Sequence, residues 1–300
     1  MQEQQYTKGQ LAVKRAFSSH DLVVLAITFI TFFLLSAGYF IISYFTSEAF
    51  TSSRVTPLDI VFGLIGVAIG ALFFFAVILG IGMFIIRMQR QMMLGNALQV
   101  EYSDYAWLRD WANVVAADLE MPRVEIFVTQ DPVINAYAFG FIRPYTIVLH
   151  SGSIRYLTRD ELRVVVVHEM AHIKYGHTNA SLYLLPFLNV PILGALFSWL
   201  AGFWQRRAEL TADRLALMYM GKSELVKEAL IKVHVGPDVA SSMNEIARQW
   251  QQYVAERPMN RLAQTFSNHP FLVRRISHID HWKGVVEGGT TPEPRVPSAQ

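Results

Sequence analysis

The chain has 300 residues, of which 52% are hydrophobic and only 17% charged, with a mean hydropathy of +0.28. That is long enough for one or two domains and too apolar for an ordinary soluble one, so membrane segments are the first expectation. A net charge of +2 without a dense Lys/Arg block gives a nucleic-acid partner no electrostatic support, and the lack of any cysteine excludes disulfides, Cys-ligated zinc and a lipidated-cysteine anchor. Any metal must therefore be held by His, Asp or Glu.

Residues 1–20 read as an N-terminal tail. An uncharged apolar run follows over 22–45, between His20-Asp21 and Thr46-Ser47-Glu48. It is long enough to cross a bilayer. A secretory signal would carry a shorter apolar region, about 7–15 residues, nearer the N-terminus. A second uncharged run, 60–86, carries Gly63, Gly66, Gly70, Gly80 and Gly82, small residues that permit close helix packing in lipid. Together they predict a transmembrane hairpin over 21–87. Lys8, Lys14 and Arg15 precede it, Arg87 and Arg90 follow it, and its loop offers only Arg54. The positive-inside bias places the N-terminus and everything after Arg87 in the cytoplasm.

From about residue 100 the composition becomes that of a folded domain, expected to run to 285. Residues 104–120 read as an amphipathic helix, and the β-branched runs 124–129 and 146–150 as strands. Between the strands lie Asn135-Ala136-Tyr137-Ala138-Phe139-Gly140 and a turn at Arg143-Pro144. Thr158-Arg159-Asp160-Glu161 is a capping-box start for a helix that ends near Gly176. A third apolar run covers 181–204, helices are expected over 206–220, 222–235 and 238–256, and the tail (286–300, Gly/Thr/Pro-rich from Gly288) reads as disordered.

The capped helix carries His168-Glu169-Met170-Ala171-His172. Histidines four apart project from one helix face, which suits two corners of a tetrahedral zinc site. Glu169 follows the first ligand directly, where it can accept the proton of a water activated by the metal. With nine histidines in the chain, a chance match or a structural His pair is the bland alternative. A His-rich extension would need Gly three and His six residues after His172. Those positions hold Tyr175 and Thr178, so His177 reads instead as a helix-end residue favourable near the C-terminal dipole. The better third ligand is Glu209, four residues from Asp213 on one helix face, with one carboxylate able to bind metal and the other to orient a ligand imidazole. The competing reading is an exposed charged face that pairs with Arg206 or Arg214.

His168-Glu-Met-Ala-His172 followed by Glu209-x-x-x-Asp213 resembles the HtpX family of membrane zinc metallopeptidases, relatives of the CAAX prenyl proteases. Asn135-Ala136-Tyr137-Ala138-Phe139-Gly140 is similar to the family's Asn-Ala-Phe-Ala segment, and Leu149-His150-Ser151-Gly152 to its strand end. Ser267-Asn268-His269-Pro270, followed by Arg275-Ile276, is similar to its Ser-Thr-His-Pro signature. The likeness covers roughly residues 100–280 plus the hairpin, with Tyr137 for Phe and Asn268 for Thr as departures. It implies zinc ligands His168, His172 and Glu209, one Zn2+ per chain, general base Glu169, and Asp213 behind a ligand. It also implies substrate backbone held by Asn135, Ala136, Tyr137 and Ala138, with His269 and Arg275 at the cleft, stabilising an oxyanion or bracing Glu209.

The third run is a topological constraint. A single crossing by 181–204 would put His168 and Glu209 on opposite sides of the membrane, two crossings need about 40 residues, and Pro186, Pro191 and Gly194 break the stretch. A bent segment, interfacial or dipping in and out, is expected, with burial in the domain as the alternative. HtpX proteins are generally drawn with two further spans here, so this chain departs from that pattern.

The expected fold is α+β, mainly helical: a zincin-like metallopeptidase domain behind a two-helix transmembrane hairpin. The expected function is a membrane-bound zinc endopeptidase in quality control of misfolded or membrane proteins and stress response. The alternatives are a dedicated CAAX-type processing protease or a catalytically idle scaffold. Expected partners are polypeptide substrates and the lipid bilayer, with no nucleic acid and with homo-oligomerisation left open. The resemblance implies a prokaryotic cytoplasmic membrane, with the catalytic domain facing the cytoplasm.

Overall fold

The computed structural model describes residues 7–47, 50, 56–139, 143–267 and 269–287. Glu48, Arg54, Gly140, Asn268 and the tail from Gly288, all used in the sequence reading, lie outside these residues.

The segment expected as an N-terminal tail contains helix α1 (Lys8–Ala16). Thr7 and Gln10 cap it reciprocally, at 3.2 and 2.8 Å. Its inner face is Gly9, Ala12 and Ala16, small residues that let the backbone approach the rest of the protein closely; a Cβ at Gly9 would collide with the backbone of Asp118. Tyr175 Oη donates to Val13 O at 3.0 Å and Arg214 Nε donates to Ala16 O at 2.7 Å.

Helices α2 (Ser19–Phe45) and α3 (Pro57–Asn96) contain stretches long and apolar enough to cross a membrane, with mean hydropathies of 2.3 and 2.8. Thr56, Asp59 and Pro57 set the start of α3. The helix continues past the apolar run because Met, Gln, Arg and Leu favour helix, and Arg90 Nη2 then ties it to Glu125 Oε2 at 2.6 Å.

A four-stranded sheet follows: β1 (Leu98–Gln99), β2 (Val124–Thr129), β3 (Ala136–Phe139) and β4 (Tyr145–His150), in the order β1-β2-β4-β3. β2 and β4 are parallel, while β1 and β3 pair antiparallel to their neighbours, Ala136 facing Leu149 and Phe139 facing Thr146. This leaves β3 at an edge. Helix α4 (Ala106–Asp118) links β1 to β2. After β4 come α5 (Ser151–Tyr156), α6 (Arg159–Lys174), α7 (His177–Leu188), α8 (Gly194–Met220), α9 (Ser223–Val235), α10 (Pro237–Ala240), α11 (Glu245–Glu256), α12 (Pro258–Thr265) and α13 (Leu272–Glu287).

The main core joins Val166, Val167, Met170 and Ala171 of α6 to Ala212, Leu215 and Ala216 of α8, and to Ile126, Ile147 and Leu149 of the sheet. A second core gathers Phe32 of α2, Ala180 and Leu184 of α7, and Phe197, Ala201 and Trp204 of α8; the Phe32 and Phe197 rings lie 4.3 Å apart. The third apolar run is therefore bent, as a helical hairpin that turns between Asn189 and Leu193. Ile192 at the turn has φ 68° and is 88% exposed, a left-handed conformation that is unfavourable for a β-branched residue.

Two expected boundaries differ. The helix expected from 206 starts at Gly194, because nothing after Pro191 interrupts it. The helix expected over 238–256 breaks at 241–244, where the Asn244 side chain accepts from the Ala247 N–H at 2.9 Å and begins α11 afresh.

Candidate metal centre

Helix α6 starts at Thr158, whose Oγ1 accepts from the Glu161 N–H at 3.3 Å while Glu161 Oε2 accepts from the Thr158 N–H at 2.8 Å. The other Glu161 oxygen takes Lys232 Nζ of α9 at 2.7 Å. With Val166, Val167, Met170 and Ala171 held in the core, the opposite face turns His168, Glu169 and His172 into a cleft of about 380 Å³. The helix ends before Gly176, which takes φ 70°, a conformation glycine adopts without strain.

The Nε2 atoms of His168 and His172 lie 3.2 Å apart. Glu209 of α8 brings Oε1 to 3.4 Å from His172 Nε2 and Oε2 to 3.6 Å from His168 Nε2. One ligand atom from each of the three residues lies within 4.8 Å of the others. Zinc bonded at about 2.0–2.1 Å in a tetrahedron has ligand–ligand edges of about 3.3 Å. Two imidazoles and a carboxylate at these separations fit zinc both in size and in donor chemistry. Glu209 faces the histidines and makes no pair with Arg206 or Arg214. Arg206 Nη1 donates to Ser267 O at 2.5 Å, and Arg214 is engaged at Ala16.

His168 presents Nδ1 to Asp213 Oδ1 at 3.0 Å, which directs Nε2 into the cleft. Burial alone would lower the His168 pKa, but Asp213 and Glu209 outweigh it and push it up to about 10. Burial dominates at His172 and lowers it to about 4. Burial also raises Glu169 to about 7, with His168 opposing and Glu209 reinforcing; a carboxyl near 7 is suited to move protons at neutral pH. Burial would raise Glu209 as well, yet hydrogen bonds from His168 and His269 and the charges of His172 and Arg275 hold it well below the usual carboxylate range.

Arg275 of α13 is buried. Its Nε and Nη2 grip Asp213 at 2.7 and 2.5 Å, and Nη1 reaches Glu209 Oε2 at 3.3 Å. His269, on the segment before α13, brings Nδ1 to 3.4 Å from Glu209 Oε1 while its side chain stays largely exposed. Asn135, Ala136 and Tyr137 line the same cleft at the edge strand β3; Ala136 and Ala138 both pack against the core, and Ala138 does not line the cleft. The approach to β3 is fixed by Ser153, whose Oγ donates to Asn135 O at 2.7 Å and accepts from the Asn135 N–H at 3.0 Å.

Two histidines stand differently from the sequence reading, which misplaced His177 and did not consider His234. His177, expected as a helix-end residue, is instead the buried first residue of α7: Gly176 turns the chain so that a new helix begins there, and His177 Nδ1 meets His172 Nδ1 at 3.1 Å. With His172 as the donor, its Nε2 keeps a lone pair for a metal. His234 of α9 lies with Nδ1 2.9 Å from Leu230 O and Nε2 3.5 Å from Arg275 Nη1, so Nδ1 carries the proton and Nε2 accepts. The five-residue step from His172 to His177 is not a helical one, and His234 carries no motif, so spacing alone signals neither.

The sequence profile of peptidase family M48 matches residues 103–283. A plastoglobule-localized chloroplastic metallopeptidase 48 from Arabidopsis thaliana is 31% identical over 65% of this chain and 62% of its own length. A protease HtpX from Pasteurella multocida is 26% identical over 54% of this chain and 66% of its own. The chain thus matches just under two thirds of the length of these relatives. Among solved structures, S. mikatae Ste24p is similar with a TM-score of 0.46 and 18% identity, over 72% of this chain and 63% of that one.

Proposed function

The chain belongs to peptidase family M48, and we propose that it is a membrane-bound zinc endopeptidase with His168, His172 and Glu209 as ligands and Glu169 as general base. The observation that carries this reading is the convergence of His168 Nε2, His172 Nε2 and one Glu209 carboxylate oxygen within 4.8 Å of one another, with Glu169 beside them in the cleft. Zinc bound there supplies Lewis-acid polarisation and acidifies water. Glu169 takes the proton of the attacking water and returns it to the leaving amine. Asp213 fixes the His168 ring, and Arg275 braces Asp213 and Glu209, which makes both positioning residues. His269 stands at the rim beside Glu209, in reach of a substrate. The free edge of β3 suits an extended substrate added as a further strand, and recognition of main chain accepts many sequences. Apolar residues along the cleft, Val164, Val226 and Leu230 among them, favour apolar side chains. Both features support a role in clearing misfolded or membrane-derived chains.

In the proposed architecture α2 and α3 span a cytoplasmic membrane and the peptidase domain faces the cytoplasm. Both ends of the hairpin return to that domain, through α1 at one side and the Arg90–Glu125 pair at the other. Helices α7 and α8 form a re-entrant hairpin. Buried Asp21, in the first turn of α2, binds Arg207 at 2.8 Å and also Thr211. Eleven residues further along α2, Phe32 meets Phe197. That distance is about 16 Å of helix rise, half of a hydrocarbon core of about 30 Å. The hairpin therefore dips to near the midplane and returns, and His168 and Glu209 stay on one side.

Purified protein in lipid vesicles should cut several unrelated unfolded polypeptides, lose that activity to a chelator and regain it with zinc. Cleavage of one prenylated substrate alone would overturn the quality-control reading. Cleavage indifferent to chelation would overturn the metal-dependent one.

A further inference from the structure

We propose that α11 and α12 form a lipid-docking surface, with an apolar face entering the acyl edge of one leaflet and Arg261 and Arg274 meeting the phosphates of anionic headgroups. The proposal rests on the membrane-spanning reading of α2 and α3.

Ile246, Trp250 and Tyr253 of α11, and Met259, Leu262 and Phe266 of α12 and its C-cap, are each more than half exposed. Steps of three and four place each trio on a single helix face. Six large apolar side chains left bare on adjacent short helices mark an interaction surface. Trp and Tyr among them are residues favoured at a membrane–water boundary.

The position of α12 identifies the occupant. Trp199 Nε1 donates to Thr265 Oγ1 at 3.2 Å, Arg206 Nη1 donates to Thr265 O at 3.1 Å, and the Phe266 ring lies 6.2 Å from that of Trp199. On α8, residues 199–206 fall between Phe197, which packs on Phe32, and Arg207, which binds Asp21. Helix α12 is therefore fastened to α8 at the level where α8 packs on α2 between Asp21 and Phe32, the stretch at which α2 enters the membrane. Its apolar face is continuous with the bilayer.

Charge points the same way. Arg261 and Arg274 are exposed; Glu256 acts on Arg274 and, with Asp280, lines the same groove, but among the described residues neither arginine is held in a salt bridge. They stand close enough that Arg261 adds to burial in lowering the Arg274 pKa, and both line a groove of about 720 Å³ between α11, α12 and α13. Two neighbouring guanidinium groups free of salt bridges attract phosphate at a membrane surface. The chain that leaves α12 runs through Ser267 to His269, 3.4 Å from Glu209, so lipid docking also holds the rim of the metal centre.

The chain has no cysteine, so single-cysteine variants each carry one nitroxide. Met259→Cys, Leu262→Cys and Phe266→Cys would be reconstituted full length in phosphatidylcholine vesicles, with and without phosphatidylglycerol. Phe73→Cys on the exposed flank of α3 reports lipid, and Asp110→Cys on α4 reports water. The three labels should prefer oxygen over a water-soluble nickel chelate several-fold more than Asp110→Cys does, approaching Phe73→Cys. Phosphatidylglycerol should increase the preference, and R261Q with R274Q should remove the increase. Labels as open to nickel as Asp110→Cys, with Phe73→Cys in lipid, would overturn the docking surface and leave the anchor intact. A water-exposed Phe73→Cys would instead overturn the spanning reading. Labels shielded from both reagents and broadened by one another would assign the face to a second copy of the chain. No response to phosphatidylglycerol would overturn the role given to the arginines.

Discussion

Asp213 sits 3.0 Å from His168 Nδ1, one helical turn beyond Glu209 on the same helix. One turn of α8 thus supplies both a candidate ligand and the group that aims a second. Replacement of Asp213 by Ala should lower zinc affinity about 10- to 100-fold, read by competition with a chelator of known affinity. Unchanged affinity would remove Asp213 from the site.

Arg275 is shared between two buried carboxylates, with contacts of 2.5 and 2.7 Å to Asp213 and 3.3 Å to Glu209. Arg275→Met leaves like charges buried together and should cost roughly 3–5 kcal/mol of stability in the metal-free protein. Zinc should recover part of that loss by supplying a cation to Glu209. Denaturant titrations with and without chelator test this; equal losses in both would contradict the bracing role.

Asp21 and Arg207 join the start of α2 to the helix that carries Glu209, with the guanidinium 2.6 and 2.8 Å from Asp21 Oδ1. Asp21→Ala and Arg207→Ala should each destabilise the protein, and the double variant should lose less than their sum. A coupling of about 0.5–3 kcal/mol is expected for such a pair. Additive losses would show that the tie carries no energy of its own.

His278 gives the fold a defined acid sensitivity. Among the described residues its Nε2 is buried without a hydrogen-bond partner, and burial, followed by the charge of Arg214, lowers its pKa to about 4. The unfolded value is about 6.5, so the unfolded chain takes up the proton first as pH falls. The stability tied to neutral His278 is complete above that value and is lost as the pH drops toward 4. Wild type should lose about 2 kcal/mol relative to His278→Phe between pH 7 and 5, with no change in their difference above pH 7. Parallel stability curves would contradict this.

The parts of the fold legible in the sequence are those whose signal is local. Thr158 and Glu161 announce the start of α6, and the four-residue steps 168–172 and 209–213 put candidate site residues on helix faces without any knowledge of the fold. The incompatibility of one crossing with a shared site also foretold that 181–204 bends. Helix α1 was illegible because its buried face is Gly9, Ala12 and Ala16, which carry little hydropathy contrast. His177 and His234 were illegible because their partners come from other elements, and Arg275 gained a defined partner only once α13 lay against α8. The start of α8 was misplaced because its first half is apolar on all sides, a pattern shared by a span, a loop through lipid and a core helix.

The central claim is that Glu169 moves the proton while His168, His172 and Glu209 hold zinc. Its most direct test is Glu169→Gln in the reconstituted protein, with metal content and peptide cleavage measured on the same sample. The variant should retain one zinc per chain and lose cleavage by about a hundredfold or more. A variant that keeps zinc and cuts as fast as wild type would contradict the assignment.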